Sequence, residues 1–308
     1  TRDKCKGAVA QYISQVISDQ KKQKDNKKTW ISNCTVYDTA IRIGYSLDNI
    51  ILGLVEPEKM LSVSKNMDNS AKSFGNIVGS LVENKITNPG LEAVLALKPD
   101  IFIVNEVIGA DKIQSYRDMG IPVYVVRLST NIEEVKNEII KLSWLVGEEQ
   151  RGKILVQKMN DKLERIERNI PQELHYSKST VLVSANYASY GGKGCMYDDI
   201  CKHAKIRNGI ADLGMNTGQT VNKEVMIEIN PDFFFLAKPW KDNKAKDEKL
   251  LGEFLADKSL ENLRAVKNGN VALLDEKYIF IGHQNCVWSV QKYTSFVEWR
   301  VYDITKTK

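Results

Sequence analysis

Leu91-Glu92-Ala93-Val94-Leu95-Ala96-Leu97-Lys98-Pro99-Asp100-Ile101-Phe102-Ile103-Val104 is echoed 132 positions later by Lys223-Glu224-Val225-Met226-Ile227-Glu228-Ile229-Asn230-Pro231-Asp232-Phe233-Phe234-Phe235-Leu236. In both stretches a short helix of apolar period opens near a glutamate. Proline ends it, because the residue before a proline is pushed out of the right-handed helical region. The Pro-Asp pair then turns the chain into a strand that is apolar on both faces, as a buried parallel strand of an α/β sheet is. Two copies predict an α/β protein of two similar lobes, each with a mostly parallel central sheet, and a ligand cleft between them.

Working outward from the first copy, the pattern predicts a strand near Trp30–Ser32, a helix from about Thr35 to Tyr45 and an apolar strand at Ile50–Val55. Downstream come helix Asp111–Met119, capped by Gly120, and strand Pro122–Val126. Ile132–Val146 and Glu148–Asn169 then read as helices without internal proline, the second with Ile154, Leu155, Met159, Leu163 and Ile166 on one face. At 1.5 Å per residue the second helix runs roughly 30 Å, enough to join two lobes as a stiff rod and to keep closure motions small. The second lobe is expected to hold strand Thr180–Ser184, helix Tyr197–Ala204, the repeated helix and strand and a charged loop Lys241–Lys249. Helix Leu260–Val266, strand Val271–Leu274 and a last helix near Asn285–Trp299 complete it. The division is a basic N-terminal arm at 1–28, an N-terminal lobe at 29–130, helices including the interlobe rod at 131–170, and a C-terminal lobe at 171–308.

The 308 residues are 43% apolar and 27% charged, an ordinary globular composition. The formal charge of +5 sits entirely in residues 1–28, which hold eight Lys/Arg against three Asp and leave 36 basic and 36 acidic residues elsewhere. A neutral body argues against a nucleic-acid partner, which would require a basic face with interleaved aromatics. The arm fits a solvated linker or the neighbourhood of an anionic membrane surface. No apolar run reaches the length that spans a bilayer, and the first residues carry no hydrophobic targeting core. Cys5, Cys34, Cys195, Cys201 and Cys286 form no C-x-x-C, and His175, His203 and His283 lie far apart, so no metal centre built by the protein is expected.

Four ordered segments resemble the substrate-binding proteins of ABC importers for iron-siderophores, haem and cobalamin, the class with a helical backbone. They are Asn88 through Asp100, Tyr197-Asp198-Asp199-Ile200, Glu224 through Asp232, and Leu263-Arg264-Ala265-Val266-Lys267-Asn268-Gly269-Asn270-Val271. The resemblance runs from about residue 30 to 295. It implies a non-catalytic, monomeric, extracytoplasmic receptor, periplasmic or a cell-surface lipoprotein whose signal segment is absent from this chain. Such a receptor traps a bulky ligand between its lobes and delivers it to the ABC permease subunits in the membrane. The family places docking glutamates in the helix ahead of the Pro-Asp turn, and Glu92 and Glu224 match those positions. Carboxylates at two separated points can engage permease arginines by charge-assisted, bidentate hydrogen bonds.

Ligands of open α/β sheets lie beyond the carboxyl ends of the strands. The loops there offer Tyr37, Lys65 and Asn105 in the first lobe and Tyr187, Tyr190, Lys193, Lys238, Trp240 and His283 in the second. Aromatic faces stack on flat or macrocyclic ligands and lysines neutralise acidic groups, which together fit a large, partly aromatic, anionic chelate. Asn105-Glu106 stands where a highly charged catecholate would call for a basic residue, which favours a siderophore of lower charge, or cobalamin. Haem would need an axial ligand, for which His283, Tyr187 and Met67 are the candidates.

No cofactor is expected. No dinucleotide fingerprint or Walker phosphate loop occurs, and Gly191-Gly192-Lys193-Gly194 lacks the spacing and the Ser/Thr of one. Asp198-Asp199 reads as helix N-terminal charge. A bilobed metal-chelatase is the enzyme alternative and would require a convergent His/Glu pair in the cleft. A scaffold module, the third reading, would have no pocket.

Overall fold

A computed structural model describes residues 30–33, 46–86, 89–183, 191–238, 243–279 and 281–306, with 30–33 and 299–306 as backbone alone. The first sheet holds strands β1 (Trp30–Asn33), β2 (Met60–Ser62), β3 (Ile101–Asn105) and β4 (Val123–Val126). The second holds β5 (Ser179–Val183), β6 (Arg207–Asn208), β7 (Phe233–Lys238) and β8 (Val271–Asp275). Their spatial orders are β2-β1-β3-β4 and β6-β5-β7-β8, with every pair parallel. The strand of each repeated segment therefore takes the same place in its own sheet.

The helices, in chain order, begin with α1 (Ser46–Leu54), α2 (Asn76–Gly79), α3 (Leu91–Leu97) and α4 (Ala110–Asp118). The connection between lobes is α5 (Ile132–Leu145) and α6 (Glu149–Asn169). The second lobe carries α7 (Met196–His203), α8 (Gly209–Asp212), α9 (Lys223–Ile229), α10 (Lys244–Leu255), α11 (Arg264–Lys267) and α12 (Cys286–Lys306). Among the described residues no helix is long and apolar enough to cross a membrane.

The repeated unit closes the same way twice. Helices α3 and α9 are each seven residues long and end on a left-handed residue directly before the proline, Lys98 at φ 47° and Asn230 at φ 44°. Proline disfavours the right-handed conformation in the residue ahead of it, so the helix stops where the sequence says it must. In the second lobe the turn is tied down by Asp232, whose Oδ2 accepts from the Ser179 backbone N–H at 2.9 Å and its hydroxyl at 3.2 Å. The Asn230 carbonyl oxygen accepts from the Arg264 Nη2 at 2.6 Å.

Both strands are buried throughout, and alternate residues face two different cores. Phe102 and Val104 join an outer cluster with Val94, Ile113 and Tyr116, while Ile101 and Ile103 face the interior. Phe234 and Leu236 likewise face outward onto Phe254 and Leu263, while Phe233 and Phe235 face inward. The two interior faces belong to one continuous apolar cluster that runs through α1, α5, α6, α7 and α12. Within it Phe235 stacks on Tyr293 with ring centroids 4.6 Å apart. This shared core, and not the α6 rod alone, holds the lobes together and restrains their relative motion.

Three expected elements differ. Ile50–Val55 is the end of helix α1 with the residue after it, and not a strand: Leu47, Ile50, Ile51 and Leu54 are buried at helical spacing, and half-buried Leu52 packs on the same core, so the run reads as apolar throughout. Lys241–Lys249 is not a charged loop, because α10 starts at Lys244 under an Asn243 cap whose Oδ1 accepts from the Lys246 N–H at 3.1 Å. Its charges form a solvated face with Lys244–Glu248 and Lys249–Glu253 pairs one turn apart. Leu260–Val266 is helical only from Arg264, where Asn230 Oδ1 accepts the first N–H at 2.9 Å and fixes the start. The helix expected at Thr35–Tyr45 and the 1–28 arm lie outside the described residues.

Candidate functional site

In each sheet the chain crosses from an edge strand back over the first strand, so β1/β3 and β5/β7 are the switch points beyond which an α/β crevice opens. Tyr37, Tyr187, Tyr190 and Trp240, the aromatic candidates of those loops, lie outside the described residues. One cavity of the described part has about 310 Å³ of space, which includes its opening to solvent. Asn105 at the end of β3, Val126–Ser129 after β4, Ser46 and Ile50 of α1, Glu138 of α5 and Gly282 of the second lobe surround it. It therefore lies at the carboxyl ends of the first sheet, against the other lobe.

Asn105 is 4% exposed and caps the following turn, its Oδ1 accepting from the Val107 N–H at 3.0 Å. Arg127 stands at the rim, 84% exposed, with only a loose 3.9 Å contact to Glu106. Glu138 lies deep in the wall: one oxygen accepts from the Tyr124 hydroxyl at 3.3 Å and the other from Lys141 Nζ at 3.2 Å. Burial raises the Glu138 pKa above the ordinary carboxylate range, and the Lys141 charge and the two hydrogen bonds do not fully offset it. Glu138 was not among the expected site residues, although the sequence carries a signal for it. Ile132, Val135, Ile139 and Leu142 form the buried stripe of α5, and Glu138 is a carboxylate set inside that stripe.

One flank of the cleft is occupied by the protein itself. The segment after β8 reaches across to α1 and the loop behind β2. The Lys277 N–H donates to the Ala71 carbonyl at 2.9 Å, Gly282 N–H to the Ser46 hydroxyl at 3.0 Å and Gln284 Nε2 to the Asn49 carbonyl at 2.6 Å. Phe74 of the first lobe meets Tyr278 edge-on at 5.1 Å and the His283 ring at 6.2 Å. His283 is wholly buried in this seam, and burial pushes its pKa down to about 3, so it is a neutral imidazole at physiological pH. Met67 is equally enclosed, its thioether accepting from the Asn49 amide at 3.5 Å and the Ser73 hydroxyl at 3.3 Å. Neither is presented to a ligand.

The lysines have different circumstances. Lys238 at the end of β7 sits between Asp247 at 3.0 Å and Asp275 at 3.4 Å. Burial lowers its pKa, but the Asp247 hydrogen bond and the two carboxylate charges outweigh it and hold it above the usual lysine value. Its charge is already balanced within the lobe, which leaves it poorly suited to neutralising a ligand. Lys65 is exposed in the turn after β2, which Ser64 caps.

Lys193 is exposed on a turn whose backbone is locked: its N–H donates to the Met215 carbonyl at 2.7 Å. The Gly191 carbonyl accepts from Asn208 Nδ2 at 2.7 Å, and Asp198 accepts from the Gly194 N–H at 3.2 Å and from Lys202 at 2.9 Å. The glycines serve close packing rather than phosphate binding, for a Cβ on Gly192 would lie 2.2 Å from the Asn216 carbonyl carbon. Gly192→Ala is therefore expected to lose about 1–3 kcal/mol of stability in urea unfolding, and an unchanged midpoint would refute the close approach. Asp199 is also structural, its Oδ2 accepting the first N–H of α5 at 2.8 Å across the lobes.

Glu92 and Glu224 each fall on the second residue of their helix, α3 and α9, and both are exposed. Among the described residues neither carboxylate has a hydrogen bond or ion pair. Cys195, Cys201 and Cys286 are free, buried thiols, and burial pushes their pKa values up, to about 11 for Cys195 and about 12 for Cys286. No group of three or more His, Cys, Asp or Glu among the described residues is placed to hold a metal ion.

Two parallel sheets joined through helices, with a cavity at the strand ends facing the other lobe, define a bilobed binding protein. The chain belongs to the periplasmic binding protein family, whose model matches residues 44–278. Membership of that family implies a place outside the cytoplasm. Comparison with curated proteins finds no match. Among solved structures, a possible iron-binding periplasmic solute-binding protein from Staphylococcus epidermidis is similar at TM-score 0.69 and 17% identity, over 88% of this chain and 99% of that one. The periplasmic heme-binding protein HutB of Vibrio cholerae aligns at TM-score 0.69 and 18% identity, over 88% of this chain and 99% of its own. The molybdate-binding protein MolA of Haemophilus influenzae aligns at TM-score 0.68 and 17% identity, over 91% and 90%. At these identities the likeness establishes the fold.

Proposed function

We propose that this protein is the substrate-binding receptor of an ABC importer, which captures an iron-siderophore or a similar bulky chelate and hands it to a membrane permease without catalysis. The observation that carries the reading is the duplication: the same helix, turn and strand in the same place of each sheet, each with an exposed, unpaired glutamate at the second helical residue. A permease that grips both lobes at once reads the receptor's shape as well as its charge. The glycine turn and the Asp198-Asp199 pair are accounted for by structural contacts, which supports binding rather than an enzymatic role. The basic 1–28 arm suits a tether close to an anionic surface, as in a lipoprotein.

Haem or cobalamin in the same cleft is the second reading, favoured by the solved heme-binding relatives of this fold. Of the axial candidates, His283 and Met67 are enclosed and Tyr187 lies outside the described residues, so a siderophore fits the described part better. Absorbance titration and tryptophan-fluorescence quenching with ferric siderophores, haemin and cobalamin test the proposal. Saturable one-to-one binding of a ferric siderophore is expected, and no saturable binding of any of these would overturn the ligand class.

A further inference from the structure

We propose that the cavity beside Glu138 holds an amine-terminated arm of the chelate, so that the receptor prefers an iron chelate carrying a primary ammonium over one ending in a neutral or acidic group. This rests on the reading of the protein as a chelate receptor and narrows the substrate class. Most of the cavity's 310 Å³ is its open mouth, and the enclosed part has room for about one water-sized group, far less than the roughly 300–1,000 Å³ of a whole-ligand pocket. It suits the end of one arm of a larger molecule.

Its polar groups are graded from outside to inside. Arg127 at the mouth is 84% exposed and loosely paired, a cation available to the oxygen-rich, metal-binding part of a chelate. Asn105 is 4% exposed, and while its Oδ1 is engaged by the Val107 N–H, its Nδ2 has no acceptor among the described residues, which leaves a donor at the cavity for a carbonyl of the arm. Glu138, 8% exposed, is the acceptor at the inner end, and Leu47, Ile50 and Val126 supply apolar wall for a methylene chain. Among the described residues the carboxyl group has one cation paired with it, Lys141, whose side chain is 43% exposed and hence well solvated. Burial outweighs that partner and the Tyr124 hydroxyl, which leaves the carboxylate short of positive charge. An ammonium entering the cavity supplies it by a charge-assisted hydrogen bond, whereas a carboxylate arm would bring a second anion against the first.

The test uses ferrioxamine B, a ferric trihydroxamate ending in a primary ammonium, its N-acetylated derivative, and a ferric chelate with no amine such as ferrichrome. Affinities are measured by fluorescence quenching for the intact chain and for Glu138→Gln, with thermal unfolding as a check on folding. The expected result is that the ammonium form binds on the order of 10- to 100-fold tighter than the acetylated form, and that Glu138→Gln removes most of that difference. Equal affinities for the two forms in the intact chain, or a preference that persists in Glu138→Gln, would overturn the inference and leave the receptor reading standing. Binding of the amine-free chelate alone would do the same. Should no ferric chelate bind, the proposed function itself falls and the inference with it. The comparison of the two ligands on the intact chain decides the matter even where Glu138→Gln does not fold.

Discussion

Replacing Glu92 and Glu224 together by alanine is expected to abolish chelate uptake in cells while leaving the affinity of the purified receptor for its ligand unchanged. Both side chains are exposed, both sit at the second residue of a seven-residue helix, and neither lines the described cavity. Their removal takes nothing from the core, so folding should be preserved to within the few tenths of a kcal/mol that a favourable helix-dipole charge contributes. In the proposed docking each carboxylate forms a charge-assisted pair with a permease arginine, and losing one would leave that arginine unpaired. That weakens docking by roughly 10- to 100-fold per site. Because the sites are on different lobes, their effects should be close to additive, and the double variant should fail where each single variant is merely slow. A double variant that transports normally would remove the glutamates from the docking surface, and one that loses ligand affinity would place them in the binding machinery.

The repeat was the most legible part of the chain because it combines a chemical stop with a change of period. Pro99 and Pro231 force the end of a helix whatever surrounds them, and Ile101–Val104 and Phe233–Leu236 can be buried on both faces only inside a covered parallel sheet. Ile50–Val55 had no such stop, and an apolar run of that length fits a buried strand or a buried helix equally well. Only its packing against α5 and α6 in the common core makes it helical. The α10 helix was hidden for the opposite reason: four lysines from Lys241 to Lys249 look like a solvated loop unless Leu251 and Phe254 are included as the apolar face behind them.

The site was less legible than the fold, since a sequence shows which residues follow a strand but not what they touch once there. Lys238 closes β7, but Asp247 and Asp275, nine and 37 positions further along the chain, converge on its ammonium. His283 is in a loop after β8 as expected, yet Phe74, more than two hundred positions away, covers it. Asn105, by contrast, is held at the end of β3, and register with the end of β4 alone brings it to the cavity. Residues fixed by sheet register were readable, and those fixed by side-chain convergence across the lobes were not.

That buried histidine makes the seam between the lobes sensitive to acid. His283 has an ordinary pKa of 6.5 in the unfolded chain and about 3 in the folded one, because burial disfavours the imidazolium. Its Nδ1 accepts from the Asn285 N–H at 3.4 Å, and its Nε2 meets no partner among the described residues, so nothing there would stabilise a second proton. A group with a depressed basic pKa leaves stability intact above the unfolded value. Between pH 6.5 and 3 the unfolded chain binds a proton that the folded chain refuses. Stability then falls by up to about 1.4 kcal/mol for each pH unit, and by about 1.6 kcal/mol on going from pH 6.5, where the unfolded imidazole is half protonated, to pH 5. Glu138, whose pKa is raised, works in the opposite direction, and His203, whose pKa is lowered mainly by burial, in the same one, so the total curve mixes several groups. His283→Asn isolates the effect: an amide oxygen can replace Nδ1 as acceptor, and the proton site disappears. The variant loses a constant amount from the smaller side chain, but its stability in urea should fall less steeply than that of the parent between pH 6.5 and 5. The seam offers a cheaper opening than global unfolding, so exchange of the Gly282 amide, bonded to Ser46, should accelerate in that interval before the sheets unfold. Parallel stability curves for the two proteins would mean that His283 is accessible to protons in the folded state, and the tight seam between Phe74 and the loop after β8 would have to be abandoned.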